Sequence, residues 1–94
     1  MFDIQVESQG IVRLAGRLDA AESDRAFQVL KGLETSITLD CSRLDYISSA
    51  GIGVLIETYK RLHASGHTFK LLHLLPRVRN IFAYSGLDRI LTIE

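Results

Sequence analysis

The sequence has little cysteine, little proline and no excess of charge, and each shortage excludes a class of protein. Its 94 residues include one cysteine and one proline. A single cysteine excludes an internal disulfide and a multi-cysteine metal site, and it is typical of a reducing, cytoplasmic setting. Eleven Lys and Arg residues balance eleven Asp and Glu residues, so the formal net charge is zero. A neutral domain lacks the basic surplus used for binding nucleic acid or an anionic membrane surface.

Long apolar runs are also missing. The longest, around residues 50–56, falls well short of the roughly 20 residues that span a bilayer. The first residues, Met1 to Ile4, do not have the basic and apolar regions of a signal peptide. No repeat or linker-like segment divides the chain, and 47% of its residues are hydrophobic. We therefore expect one domain over residues 1–94 with a core of its own.

The hydrophobic pattern predicts alternating strands and helices. Strands are predicted over residues 2–7, 12–18, 36–41, 68–74 and 90–93, and helices over residues 20–33, 48–65 and 76–84. Asp19, with Glu22 three residues on, is predicted to cap the first helix, and Pro76 is predicted to begin the third. A short turn makes the first two strands an antiparallel hairpin, and the intervening helices make the later strands parallel. The predicted fold class is α/β, with a single mixed sheet in sequence order and three helices mainly on one face.

Each predicted element has an expected buried face. The inward residues are predicted to be Phe2, Ile4 and Val6 of the first strand, Ala26, Phe27, Leu30 and Leu33 of the first helix, Ile52, Leu55, Ile56, Tyr59, Leu62 and His63 of the second, and Val78, Ile81 and Phe82 of the third. The outer sheet face carries charges that alternate in sign from strand to strand: Asp3 and Glu7, then Arg13 and Arg17, then Asp40, then Lys70. Opposite charges on neighbouring strands stabilise their pairing, which supports the order 1-2-3-4-5.

Two serines at the start of the longest predicted helix are the main functional candidates. Ser48 and Ser49 follow a strand and a short loop, and one of them is expected to cap the helix. The unpaired N–H groups and the positive dipole end of a helix N-terminus also favour a phosphate. A phosphoserine here is therefore expected to change the surface and to leave the fold intact.

The sequence resembles the STAS domain family, specifically the stand-alone anti-sigma factor antagonists of bacteria. The matching segments are residues 15–19 (Ala-Gly-Arg-Leu-Asp), 39–42 (Leu-Asp-Cys-Ser), 46–53 (Tyr-Ile-Ser-Ser-Ala-Gly-Ile-Gly) and 78–87. The resemblance covers nearly the whole chain in order, and the segment with the two serines is the most specific part.

The resemblance implies signal transduction by partner switching. In that family the unphosphorylated protein binds an anti-sigma factor that is also a serine kinase, and so frees the sigma factor for transcription. Phosphorylation releases the antagonist, and a metal-dependent serine phosphatase resets it. The acceptor position of the family corresponds to Ser49, and the implied partner-binding residues are Asp19, Ser48, Ala50, Gly51 and Ile52.

The chain departs from the family pattern in two places. Many members have Asp just before the acceptor, where this chain has Ser48. Ser48 therefore removes a charge beside the site and is itself a possible second acceptor. Members also commonly continue past the last strand into another helix, whereas this sequence ends at Glu94. That difference implies a sheet edge or a helix that is less covered.

The histidines and the cysteine have ordinary structural interpretations. His63 and His67 are four residues apart, but Gly66 is predicted to end the helix between them and no third ligand joins them, which argues against a metal site. His73 is expected to be a half-buried packing residue. Cys41 alternates with inward-facing residues and is expected to be an inert core thiol.

Three other functions are weighed against partner switching. A serine hydrolase requires a Gly-x-Ser-x-Gly signature and a placed histidine, and the residues around Ser49 provide neither. The segment Ala50 to Gly53 lacks the Gly-Lys-Ser/Thr ending of a phosphate-binding loop. The chain is therefore predicted to be a substrate of enzymes and not an enzyme, with no cofactor. A STAS scaffold, which assembles with itself or with larger sensor proteins without phosphorylation, stays open as the alternative.

Overall fold

Strands and helices alternate along the chain after an N-terminal pair of strands. The computed structural model describes residues 1–94. Its elements are β1 (Phe2–Val6), β2 (Ile11–Leu18), α1 (Ala20–Lys31), β3 (Ile37–Ile47), α2 (Ser49–Ala64), β4 (Phe69–Leu72), α3 (Pro76–Tyr84) and β5 (Thr92–Ile93). Short 3-10 turns lie at Ser8–Gly10 and Leu87–Arg89. None of the three helices has the length and apolar character needed to cross a membrane.

The strands form one mixed sheet, which confirms the predicted fold class. Their order is β1-β2-β3-β4-β5. β1 is antiparallel to β2, and the other neighbours are parallel. Because right-handed crossovers that always advance in one direction place their helices on the same side, α1, α2 and α3 share one face of the sheet.

The core lies between that face and the helices. It is one continuous cluster of 22 buried hydrophobic residues. Strand residues that face it, such as Leu14 and Leu39, are almost fully buried. Their neighbours Arg13 and Arg17 lie on the opposite, open face and are exposed. The period-two pattern of the sequence therefore separates a buried sheet face from a polar one.

Two apolar residues predicted to be inward are exposed. Val6 is 50% exposed because it is the last residue of the edge strand β1. The other end of β1 lies against α1, where Arg25 Nη1 donates a hydrogen bond to the carbonyl oxygen of Phe2 at 3.0 Å. Phe27 is 36% exposed because Ser23 takes the place at the centre of the buried stripe of α1. The buried face of α1 is therefore rotated about the helix axis, away from Phe27 and toward Ser23.

Two histidines also differ from their predictions. His73 is exposed, not half-buried, and its φ of 64° places it in the left-handed region just after β4. His63 is exposed on α2, where its ring stacks on Tyr59 with centroids 5.4 Å apart. Both residues therefore lie outside the core.

The alternating charges on the outer face are realised in part. Arg13 bridges the neighbouring strands as predicted, at 2.8 Å from Glu7 and 3.4 Å from Asp40. The other charges pair elsewhere: Asp3 with Arg25 of α1, Lys70 with Glu94, and Arg17 with the ring of Tyr46. Ion pairs between opposite charges therefore connect the first three strands, but Asp40 of β3 does not pair with Lys70 of β4.

β3 is much longer than its predicted six residues. It runs to Ile47, and its register with β2 shifts twice, after Asp40 and after Leu44. Each shift sets an extra residue of β3 against β2, which is the mark of a bulge and interrupts the alternation. Beyond the two bulges β3 stays paired with β2 until Leu18 pairs with Ile47, the residue directly before the two serines.

Candidate functional site

The candidate site lies at the edge of the sheet where the parallel strands β2 and β3 end. Leu18 and Ile47 are the last paired residues of these strands. The backbone N–H of Ser48 then donates to the carbonyl oxygen of Leu18 at 2.9 Å. Asp19 follows Leu18, so the structure brings Asp19 and the two serines to the same edge.

Asp19 caps α1. Its carboxylate oxygen accepts a hydrogen bond from the backbone N–H of Glu22 at 3.1 Å, as the sequence predicts. Its carbonyl oxygen accepts one from the hydroxyl of Ser23 at 2.8 Å. Asp19 as a whole is half-buried.

Ser48 is the N-cap of α2. Its backbone is extended, and its hydroxyl oxygen accepts a hydrogen bond from the backbone N–H of Gly51 at 3.1 Å. Its carbonyl oxygen accepts the first helical hydrogen bond, from Ile52, at 2.9 Å. The sequence does not decide which of the two serines caps the helix, and the structure shows that it is Ser48.

Ser49 is the first residue of α2 and points to solvent. It is exposed, and no hydrogen bond within the chain engages its hydroxyl, because the cap is already supplied by Ser48. Of the two adjacent serines, Ser49 is the one whose oxygen is free to react or to contact another molecule.

The residues after Ser49 differ sharply in exposure. Ala50 is exposed and Ile52 is half-buried, so both reach the surface. Gly51 is buried, and a Cβ added there would lie 2.8 Å from Cγ of Leu18, 2.9 Å from Cγ1 of Ile47 and 2.9 Å from the carbonyl oxygen of Leu18. A glycine is therefore needed for α2 to begin this close to the end of β2, and Gly51 acts by packing.

The segment that displays Ser49 is uncharged. No charged residue occurs between Tyr46 and Ile56, and the first turn of α2 has no acidic side chain. The partial positive charge of the helix N-terminus is therefore not offset from within the helix. An anionic group attached at Ser49 meets a favourable backbone field.

Two arginines hold the strand that leads into the site. Arg77, near the start of α3, donates from Nη2 to the carboxylate of Asp45 and from Nε to its carbonyl oxygen, both at 3.1 Å. Arg17 places its guanidinium 4.3 Å from the centre of the Tyr46 ring. Sequence reasoning missed the pair of Arg77 with Asp45, because the two residues are 32 positions apart and no local pattern links them.

Two groups on β3 have shifted pKa values. Partial burial raises the pKa of Asp40, but hydrogen bonds from Ser42 and the charges of Arg13 and His73 outweigh it and bring the pKa below 3.8. Burial, helped by the charge of Asp40, raises the pKa of Cys41 to about 12. A fully buried thiol with so high a pKa is unreactive, which agrees with the predicted inert core role of Cys41.

The end of α2 separates His63 from His67. Gly66 has a φ of 79° and ends the helix as predicted, while the N–H of His67 turns back to the carbonyl oxygen of Leu62. No three His, Cys, Asp or Glu side chains are grouped so that they could hold a metal ion.

Comparison with known proteins places this chain in a family. The family model described as "Mlab, STAS domain" matches residues 2–92. BtrV of Bordetella bronchiseptica, named as an anti-sigma factor antagonist, is 42% identical over 78 residues, which cover 83% of this chain and 66% of that protein. The anti-sigma F factor antagonist of Paenibacillus polymyxa is 31% identical over 88% of this chain and 75% of its own length.

A solved structure shows the same fold. A Thermotoga maritima protein described as an anti-sigma factor antagonist has a TM-score of 0.81 and 23% identity, covering 98% of this chain and 84% of that one. Proteins that carry the name anti-sigma factor antagonist are regulatory binding proteins and not enzymes, in line with the non-enzymatic expectation from the sequence. The family match over residues 2–92 and the shared fold establish that this chain belongs to the STAS domain family.

Proposed function

We propose that this chain is a cytoplasmic anti-sigma factor antagonist that works by partner switching. Its unphosphorylated form binds an anti-sigma factor with serine kinase activity and so releases the sigma factor. Phosphorylation of Ser49 ends that binding. The observation that carries the proposal is the division between the two serines, since Ser48 caps α2 and Ser49 is exposed with a free hydroxyl. The names of the related proteins support the antagonist role within this proposal.

The position of Ser49 suits phosphoryl transfer. Its oxygen attacks the γ-phosphorus of ATP in the kinase, the bond from that phosphorus to ADP breaks, and the kinase accepts the hydroxyl proton. Because the hydroxyl is exposed and unengaged, it enters a kinase active site without loss of any internal hydrogen bond. A metal-dependent serine phosphatase resets the protein when water cleaves the phosphoester and inorganic phosphate leaves.

The modified protein stays folded and its binding fails for a local reason. A phosphate adds roughly −1.5 to −2 units of charge at neutral pH, next to a helix N-terminus that favours negative charge. The surface from Tyr46 to Ile56 is otherwise uncharged. A partner that fits this surface must desolvate or repel the new charge, and either effect weakens the complex.

The remaining site residues have different roles in this proposal. Ala50 and Ile52 reach the surface beside Ser49 and are contact residues. Asp19 lies at the same edge and offers its carboxylate to the partner. Gly51 and Ser48 act indirectly, because Gly51 is packed on Leu18 and Ser48 holds the first turn of α2.

The test is a phosphorylation assay with the purified anti-sigma factor kinase of the same bacterium and Mg-ATP. Intact-mass measurement is expected to show one phosphate per chain, and fragmentation is expected to place it on Ser49. Ser49→Ala should abolish the modification. Ser48→Asn is the matched control, because Asn removes the neighbouring hydroxyl and still accepts a capping hydrogen bond.

Three outcomes contradict the proposal. A phosphate on Ser48, or full modification of Ser49→Ala, would show that the acceptor is misassigned. No phosphate on a chain that the kinase nevertheless binds would favour the STAS scaffold, which assembles without a phosphorylation switch.

A further inference from the structure

Two glycines near the start of α2 have opposite relations to the fold. Gly51 is required by it, because a Cβ there would collide with Leu18 and Ile47. Gly53 is not, because a Cβ built there has no heavy atom within 4 Å apart from its chain neighbours and the nearby backbone of α2, and its φ is not in the positive range that favours glycine. Glycine is one of the least favourable residues inside a helix. Nothing within this chain therefore explains a glycine at position 53.

Gly53 lies on the face of α2 that displays Ser49. Residues four apart on a helix are neighbours on one side, so Gly53 lies one turn beyond Ser49, and Ile56 follows it at three residues. Ser49 is exposed, and Gly53 and Ile56 are partly exposed. This stretch is uncharged up to Glu57, so it forms an uncharged strip along which no side chain covers the helix backbone at Gly53.

We propose that Gly53 is a contact residue for the anti-sigma factor, at which an uncharged segment of that partner approaches the backbone of α2. The inference rests on the proposed function, which places this partner on Ser49, one turn earlier on the same face. The missing side chain then serves the complex and not the fold. A methyl group at position 53 stabilises the free protein and obstructs the partner, so stability and binding change in opposite directions.

The test is Gly53→Ala, with Gly32→Ala as the matched control. Gly32 ends α1 with helical φ and ψ, is exposed, and a Cβ there would make only an ordinary 3.6 Å contact with the carbonyl oxygen of Val29. It lies at the end of α1 opposite to Asp19, and so far from Ser49. Neither substitution strains the backbone, and both are expected to raise Tm by about 2–6 °C.

Binding separates the two variants. Calorimetric titration with the purified anti-sigma factor kinase is expected to show an affinity loss of about tenfold or more for Gly53→Ala, because inserted atoms force a close-packed surface apart. Gly32→Ala should change the affinity by less than about twofold, as substitutions away from an interface do. In the phosphorylation assay Gly53→Ala should raise KM and leave kcat unchanged, since it removes binding common to ground state and transition state.

The inference and the proposed function fail in different ways. Unchanged affinity and KM for Gly53→Ala, with wild-type binding intact, would overturn the contact at Gly53 and leave the switch at Ser49 standing. A lowered Tm for Gly53→Ala would contradict the open space on which the inference depends. If the wild-type chain neither binds the kinase nor accepts phosphate, the proposed function fails and the contact fails with it.

Discussion

At the scale of single residues, the backbone gives two identical side chains different tasks. Ser48 has an extended backbone, with φ of −87° and ψ of 170°, so its hydroxyl folds back onto the N–H of Gly51. Ser49 is the first helical residue, and its side chain projects outward. Because either serine could cap from sequence alone, only the structure distinguishes the cap from the displayed hydroxyl.

This difference predicts unequal stability effects for the two serines. Ser48→Ala should lower the free energy of unfolding by about 1 kcal/mol, the usual cost of a lost N-cap. Ser49→Ala should change it by less than about 0.5 kcal/mol, because the side chain is exposed and unpartnered. Urea denaturation of the two variants measures both values, with Ser48→Asn as the variant that keeps the cap. Equal losses for both alanine variants would mean that the capping assignment is wrong.

Gly51 predicts a second effect at this scale. Gly51→Ala should destabilise the protein by about 1–3 kcal/mol, as overpacking commonly does, because the added methyl collides with Leu18 and Ile47. Urea denaturation measures the loss, and Gly53→Ala, in the same helix with open space, provides the comparison. A Gly51→Ala protein as stable as the wild type would show that α2 can begin further from β2.

At the scale of elements, each helix is held by a few fully buried side chains. Leu55 of α2 and Phe82 of α3 are 0% exposed and belong to the same core. Leu55→Ala and Phe82→Ala should each lower the free energy of unfolding by about 2–5 kcal/mol, since each leaves a cavity. Phe27→Ala is the control, because Phe27 is also a large apolar residue but is 36% exposed. Losses below about 1 kcal/mol for Leu55 and Phe82 would contradict the helix faces described above.

The contact between β2 and β3 predicts a pH dependence. Because the pKa of Asp40 is lower in the folded protein than its ordinary value of 3.8, the unfolded chain binds a proton at higher pH than the folded one. Asp40 therefore contributes stability above the unfolded pKa, and this stability is lost as pH falls through the folded pKa. Asp40→Asn should make the decline of stability below about pH 5 shallower, as measured by urea denaturation across the acid range. An unchanged slope would show that the folded environment of Asp40 does not favour its charge.

The sequence predicts elements whose causes are local and misses features that depend on distant contacts. Three helix ends are predictable from the sequence, because the residues that set them act within a few positions. These residues are the capping acid Asp19, the proline at the start of α3 and the glycine after α2. The bulges of β3 depend on its pairing with β2, which no local pattern records. The exposure of Phe27 likewise depends on how α1 lies on the sheet.

The candidate site follows the same rule. Its position at the start of α2 is readable, because a serine pair before a helical pattern is a local signal. The burial of Gly51 and the pair of Arg77 with Asp45 are not, because both arise from segments that meet only in the fold.

At the scale of the whole molecule, long-range side-chain hydrogen bonds join α2 to α1 and α3 to β3. Arg61 of α2 donates to the carbonyl oxygens of Leu30 and Leu33 at the end of α1, at 2.8 and 2.9 Å. Arg77 of α3 donates to Asp45 of β3. The first set joins the C-terminal ends of α1 and α2, and the second joins the start of α3 to the strand that leads to Ser49. The molecule therefore fits a switch that changes its surface charge and keeps its fold.

The most direct test of this account is a calorimetric titration of the anti-sigma factor kinase with this protein in its unphosphorylated and Ser49-phosphorylated forms. The account predicts that the unphosphorylated form binds and that the phosphorylated form binds at least about 100-fold more weakly, because a buried uncompensated charge costs several kcal/mol. It also predicts that phosphorylation leaves the Tm nearly unchanged. Equal affinities for the two forms, or loss of binding only through unfolding of the phosphorylated protein, would contradict it.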